Sequence, residues 1–213
     1  MSFQRTQVAT LIRRLSEKPT FIHALFGPRQ TGKTTIVRQA LPQIDMASRY
    51  LAVDEPDPAG LDDAHYDVDA RAAPQPDTRD TRWIVRQWEA ARRTAERSDR
   101  GAVLVFDEIQ KIPRWSEAVK GLWDADRAGD CPLHVVILGS SPMSMQAGLS
   151  ESLAGRFERV PVTHWSFAEM SAAFGVSLPE YLYFGGYPRG AAIRRNPDQW
   201  RDYVLQAIVE PHL

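Results

Sequence analysis

Nine residues at positions 27–35, GPRQTGKTT, combine two glycines, a lysine and three threonines directly after the apolar run FIHALF. The spacing G-x-x-x-x-G-K-[ST], which begins at Gly27, is typical of a loop that binds phosphate. Glycines allow a tight backbone concavity, and the amide groups of the loop and of the following helix then point at the anion. We expect Lys33 to reach the β- and γ-phosphates and the Thr34 hydroxyl to ligate Mg²⁺.

The segments on either side of this loop fit the same interpretation. FIHALF predicts a short buried strand and TTIVRQAL continues as a helix, so the loop lies between a strand and a helix as the motif requires. The residues predicted to contact phosphate are Gly27, Pro28, Arg29, Gln30, Thr31, Gly32, Lys33, Thr34 and Thr35.

Acids and a hydroxyl follow two later strands. The stretch VLVFDEIQ carries Asp107 to the end of an apolar strand, where ligands of open α/β sheets bind, and we expect it to hold Mg²⁺ directly or through water. Glu108 is expected to polarise the attacking water as a general base. Ser140, in LGSS, has two interpretations. Its hydroxyl either orients the water or touches the γ-phosphate, or it starts the next turn.

Other sequence patterns limit which nucleotide and which reaction are expected. The N-K-x-D motif of guanine-specific GTPases is absent, because the only asparagine is Asn196. The L-S-G-G-Q motif of ABC-type ATPases does not occur between the loop and the acid pair, and small-molecule kinases rarely carry a glutamate directly after the aspartate. The sequence therefore favours ATP hydrolysis, with ATP and Mg²⁺ as ligands.

Strands and helices alternate along the chain, which predicts a parallel sheet with helices on both faces. An amphipathic helix over residues 3–17 precedes the first strand. Further strands are predicted around 50–53, 101–108, 133–141 and 156–162.

Seven stretches carry a family resemblance: GPRQTGKTT, FDEIQKIPRW, LGSSPM, GLSESLAGRFE, HWSFAEM, FGGYPR and QWRDYVLQAIVEP. They span residues 27 to 211 and resemble the AAA-superfamily ATP-binding proteins of bacteria and archaea, which are related to archaeal ATPases and signal-transducing NTPases. The resemblance implies ATP contacts at Gly27–Thr35, metal and water roles at Asp107 and Glu108, and a sensor role near Ser140.

The expected fold is that of an α/β P-loop NTPase, with a parallel sheet in the order 5-1-4-3-2 flanked by helices. Residues 1–165 are expected to form the ATPase core, and 166–213 a small helical lid. Family members usually continue beyond the last helix, so the chain is expected to be truncated before a further C-terminal domain.

Arg156, in AGRFE, has two interpretations. The resemblance matches it to an arginine that faces the γ-phosphate. Its planar guanidinium would donate bidentate hydrogen bonds to phosphate oxygens of the nucleotide bound to its own chain (in cis) or to a neighbouring subunit (in trans). The alternative is a surface ion pair with Glu151, Glu158 or Glu169.

Charge and composition limit the partners. The chain carries a net charge of −1, but residues 54–80 hold nine carboxylates and two arginines, so this stretch carries −7 and the remainder +6. That excess is too small to predict a nucleic-acid surface. No apolar run approaches a membrane span, the N-terminus lacks a signal peptide, and the single Cys131 cannot form an internal disulfide. We therefore expect a cytoplasmic protein without a membrane partner.

Two alternatives to a fast ATPase stay open on the sequence. One is an ATP-dependent regulatory switch with slow turnover, and the other is a DNA-associated ATPase module. A homo-oligomer is compatible with each of them.

Overall fold

The computed structural model describes residues 3–54, 79–139 and 152–205. The strands in these ranges are β1 (Ile22–Phe26), β2 (Ala47–Ala52), β3 (Ala102–Asp107), β4 (Leu133–Gly139) and β5 (Phe157–Pro161). The helices are α1 (Thr6–Leu15), α2 (Lys33–Ala40), α3 (Thr81–Glu96), α4 (Trp115–Ala128), α5 (Phe167–Phe174), α6 (Leu178–Phe184), α7 (Pro188–Ile193) and α8 (Pro197–Val204).

The strands of the described residues form one parallel sheet in the order β2-β3-β4-β1-β5. This is the predicted order 5-1-4-3-2, and the predicted α/β class is confirmed. Because all the strands point the same way, they end at one edge, the carboxyl edge, and begin at the opposite amino edge. The glycine-rich loop after Phe26 and the acid pair at Asp107 therefore meet at the carboxyl edge.

The inner strands read as nearly continuous apolar runs because helices cover both faces of the sheet. Both β3 and β4 are buried along their whole length. On one face α3 and α4 contribute Trp83, Trp88 and Trp123 to the core. On the other face α1 and α2 contribute Leu11 and Ile36. These two packed layers fix the carboxyl edge of the sheet.

The predicted spans of the strands do not coincide with the observed ones, and β2 and β3 show the reasons. The strand β2 begins at Ala47, before the predicted start at Tyr50, because backbone pairing with β3 defines this edge strand where the apolar pattern is weak. The strand β3 ends at Asp107, since Glu108 has a left-handed φ of 57°. The predicted strand ran one residue too far.

Helices make up most of the described chain after β5. The first of them, α5, begins at a capping box in which Ser166 and Glu169 satisfy each other's backbone amides. Trp165 and Met170 are buried in a small apolar cluster of this region. The division of the chain into a core and a lid at residue 166 stays a prediction.

Three stretches that carry sequence predictions lie outside the described residues. They are residues 140–151, which include Ser140 and Glu151, residues 55–78 of the acidic stretch, and residues 206–213. Within the described ranges, no helix is long and apolar enough to cross a membrane.

Candidate functional site

The glycine-rich loop passes very close to the end of β5. The amide of Val162 donates to the Phe26 carbonyl over 3.0 Å. A Cβ atom added to Gly27 would lie 1.8 Å from the Val162 carbonyl oxygen. Only glycine fits at this first position of the motif, which explains why the loop starts with it.

The loop then turns into α2 through left-handed backbone. Gln30 has a φ of 62° and Gly32 a φ of 91°. Gly32 is the N-cap of α2 and makes no side-chain cap hydrogen bond. The first amides of α2 therefore meet the loop without a capping side chain, and this arrangement binds anions at helix N-termini.

The Lys33 ammonium group is held inside the loop. Its Nζ donates to the carbonyls of Gly27 over 2.9 Å and Pro28 over 2.7 Å, and the residue is only 7% exposed. Burial lowers the pKa of Lys33, while Glu108 and Asp107 act in the opposite direction. A buried cation that is held by neutral carbonyls gains stabilisation when an anion enters beside it.

The Thr34 hydroxyl and the Asp107 carboxylate are already joined. Thr34 Oγ1 donates to Asp107 Oδ2 over 2.9 Å, and Asp107 is 8% exposed. Because the hydroxyl proton is used in this bond, the lone pairs of Oγ1 face away from the carboxylate. Hydroxyl, carboxylate and phosphate oxygens are the ligands that Mg²⁺ prefers, so these residues fit the metal that the sequence predicts.

A second hydroxyl reaches the same carboxylate oxygen. The Tyr50 hydroxyl, from β2, also donates to Asp107 Oδ2. Burial is the largest cause of the raised pKa of Tyr50, and the hydrogen bond to Asp107 is the next largest. The tyrosine therefore stays protonated and acts as the donor. Sequence analysis did not identify Tyr50, since an aromatic residue in a strand ordinarily indicates packing.

Glu108 lies at the carboxyl edge with an uncommon backbone conformation. Its φ and ψ are 57° and 33°, and its amide donates to the Leu138 carbonyl of β4 over 3.0 Å. Its carboxylate accepts a hydrogen bond from Gln110 Nε2. Left-handed backbone at a residue other than glycine is costly and occurs often at functional sites.

Two residues far from the loop in sequence hold its outer side. The Thr31 carbonyl accepts hydrogen bonds from Trp165 Nε1 over 3.0 Å and from Arg5 Nη1 over 3.3 Å. Arg5 also forms a 2.8 Å ion pair with Glu169. Sequence reasoning missed Arg5 and Trp165, and no local pattern marks residues that meet only through the tertiary fold.

A cavity of about 620 Å³ opens beside the loop. It is lined by Gly32 and Thr35 of the loop and α2 and by the aromatic rings of Phe3, Trp165 and Phe174. The Trp165 ring lies 5.4 Å from the Phe3 ring and 5.5 Å from the Phe174 ring, measured between centroids. A mostly apolar cavity of this size suits a planar organic group that continues from a bound phosphate.

Arg156 lies at the other edge of the sheet. Its guanidinium donates to both carboxylate oxygens of Asp124, at 2.6 Å and 3.0 Å. Its carbonyl accepts from the amide of Ile22, the first residue of β1, whereas the loop follows the last residue of β1. Four steps along β1 separate these ends by about 13 Å. The structure therefore does not bring Arg156 to the loop.

The structure assembles the predicted loop, Gly27–Thr35, with Asp107 and Glu108 at one edge of the sheet. The Arg156 partner is Asp124 and not the predicted Glu158 or Glu169, while Glu151 lies outside the described residues.

Fold and site together define a class of protein. A parallel sheet in this order, with a glycine-rich loop that leads into α2 and an acid pair at the end of β3, is the arrangement of a P-loop NTPase. A family model described as an AAA domain matches residues 20–171. The chain belongs to this AAA domain family, and the family predicted from the sequence is confirmed.

Two relatives are uncharacterized proteins of Mycobacterium bovis and Mycobacterium tuberculosis. Each is 28% identical over 213 residues, an alignment that covers 99% of this chain and 40% of the relative. The chain thus spans less than half the length of the curated relatives it matches.

A solved structure, the Walker-type ATPase of Pyrococcus abyssi, has a similar fold. It superposes with a TM-score of 0.59 at 11% identity and covers 97% of this chain and 68% of that chain. At this level of identity the similarity concerns the fold alone.

Proposed function

We propose that this chain binds ATP together with Mg²⁺ and hydrolyses the γ-phosphate. The observation that carries the proposal is the 2.9 Å bond from Thr34 to Asp107, because it joins the loop to the acid at the position where a metal-bound phosphate is expected. The aromatic cavity beside the loop supports a purine nucleotide, since a base can stack on its rings.

The phosphates would replace the loop's own carbonyls as partners of Lys33. The Lys33 ammonium then donates to β- and γ-phosphate oxygens, and amides of the loop and of α2 donate to the remaining oxygens. Mg²⁺, when bound, would neutralise part of the charge of the phosphates. Thr34 Oγ1 and the Asp107 carboxylate would hold it, directly or through water.

Glu108 would act on the attacking water. Its carboxylate accepts a proton while the water oxygen bonds to the γ-phosphorus, and the bond from that phosphorus to the bridging oxygen breaks to leave ADP and phosphate. The strained backbone at Glu108 and the hydrogen bond from its amide to β4 support this role. They fix the backbone position from which the Glu108 side chain extends.

An ATP-dependent switch with slow turnover is the second candidate. The hydrogen bond from Gln110 to the Glu108 carboxylate favours it, since this amide engages one carboxylate oxygen, Oε2, that would otherwise be available to the attacking water.

The binding step is tested with Lys33→Ala. Calorimetry with Mg²⁺ and ATP should show an affinity that is lower by roughly 10- to 100-fold, because charge-assisted hydrogen bonds to phosphate are lost. The matched control is Lys18→Ala, which removes an exposed lysine paired with Asp130. Equal ATP affinity in the wild type and in Lys33→Ala would contradict the proposal that the loop binds phosphate.

A further inference from the structure

Tyr50 joins the edge strand β2 to the acid at the end of β3. It lies opposite Val105 in the parallel register, two residues before the pair formed by Ala52 and Asp107. Its hydroxyl donates to Asp107 Oδ2, the same oxygen that accepts from Thr34.

The Tyr50 ring is held from the other side by α2. The Arg38 guanidinium lies 5.3 Å from the ring centroid, within the range of a cation–π contact. The ring also packs against the buried cluster beneath α1 and α2. Tyr50 is therefore fixed by packing, and its hydroxyl reaches Asp107 from a defined position.

We propose that Tyr50 is a positioning residue for the divalent cation, which orients the Asp107 carboxylate so that this carboxylate and Thr34 Oγ1 face one metal position. The proposal rests on the proposed function, and it assigns no contact between Tyr50 and nucleotide or metal.

The physical reason lies in the torsion of the aspartate side chain. The carboxylate of an aspartate rotates about a broad, soft χ2, so one hydrogen bond does not define its plane. Two donors from different directions, Thr34 on α2 and Tyr50 on β2, hold Oδ2 in place. Neither of these bonds uses Oδ1, which remains the second oxygen that the carboxylate can offer to a metal or its water. Partners of this kind behind a ligand typically change metal affinity by about 10- to 100-fold.

The competing interpretation is that Tyr50 only fills space at the edge of the sheet. Tyr50→Phe separates the two, because it keeps the ring and its contact with Arg38 and removes only the hydroxyl. A packing role predicts no change in metal affinity. A positioning role predicts a lower metal affinity, with the affinity for nucleotide in the absence of metal unchanged.

The experiment measures Mn²⁺ and nucleotide binding separately. Free Mn²⁺ is followed by electron paramagnetic resonance in the presence of a non-hydrolysable ATP analogue, and analogue affinity is measured by calorimetry in EDTA. For Tyr50→Phe we expect Mn²⁺ affinity to fall about tenfold or more, with metal-free analogue affinity unchanged. Circular dichroism at 10 °C verifies that the variant is folded.

The matched control is Tyr183→Phe, which removes the hydroxyl of a tyrosine that is 64% exposed. It should leave both affinities at the wild-type values. A wild-type Mn²⁺ affinity in Tyr50→Phe would overturn the inference about Tyr50 and leave the proposed function standing. An equal loss of analogue affinity with and without metal would have the same consequence. Failure of the wild-type protein to bind the analogue with Mn²⁺ would instead overturn the proposed function.

Discussion

At the scale of single residues, the proposed function requires side chains to exchange their partners when a ligand binds. Lys33 is held by the carbonyls of Gly27 and Pro28, and Glu108 is held by Gln110. Each of these bonds stabilises a charged group near the carboxyl edge. In the proposed function each would have to break, or be shared, when the charged group acts on phosphate or water.

The bond from Gln110 gives a prediction for the switch. If it keeps Glu108 away from the attacking water, Gln110→Ala should raise ATP turnover about three- to tenfold, since one hydrogen bond to a charged group is lost. ATP affinity should stay unchanged. The control is Gln43→Ala at an exposed position. Phosphate release at or below the wild-type rate in Gln110→Ala would rule out the switch.

At the scale of elements, strand direction decides which residues meet. The loop after β1 and the acids after β3 were predicted to lie together, because parallel strands end at one edge. The position of Arg156 follows from the same rule. It directly precedes β5, which runs parallel to β1, so it lies at the amino edge. The match of Arg156 to an arginine that faces the γ-phosphate came from the family resemblance, which did not consider this strand direction.

The expected effect of Arg156→Ala on ATP turnover therefore depends on whether copies of the chain assemble. Within one chain the arginine pairs with Asp124, so ATP affinity and the turnover of dilute protein should match those of the wild type. Turnover is measured over a hundredfold range of protein concentration. A loss of activity that develops only at high concentration would show that the arginine acts on a second copy. A loss at every concentration would contradict the placement at the amino edge.

At the scale of the whole molecule, distant parts of the chain meet around the loop. Arg5 and Trp165 donate to the Thr31 carbonyl, and the Tyr203 hydroxyl of α8 donates to the Gln30 side chain. The motif and the strand order could be predicted because they depend on local spacing and on strand direction. These outer contacts, like the one from Tyr50 to Asp107, could not be predicted, because their residues are 26 to 173 positions apart and meet only through the tertiary fold.

Two buried histidines on β1 and β4 predict how the folded protein responds to acid. Burial, together with the nearby charges of His23 and Arg127, lowers the pKa of His134 to about 4. Burial also lowers the pKa of His23. Unfolded histidine binds a proton near pH 6.5 whereas folded His134 does not, so stability falls as the pH drops from 6.5 toward 4.

Between pH 7.5 and pH 5, His134 alone should lower the free energy of unfolding by about 2 kcal/mol. Urea unfolding at the two pH values measures this loss. It should be smaller in His134→Leu and unchanged in His164→Leu, which alters an exposed histidine. The same loss in His134→Leu as in the wild type would assign the acid sensitivity to other groups.

In the proposed function, Glu108 activates water for ATP hydrolysis at the carboxyl edge, where the loop and Asp107 meet. Phosphate release by Glu108→Gln, measured with ATP affinity on the same sample, tests it most directly. Affinity should remain near the wild-type value while turnover falls by about 10²- to 10⁴-fold, since the variant keeps the shape of the side chain and loses the base. Glu117→Gln, which alters a surface pair with Arg114, should match the wild type. Phosphate release by Glu108→Gln at the wild-type rate would contradict the account.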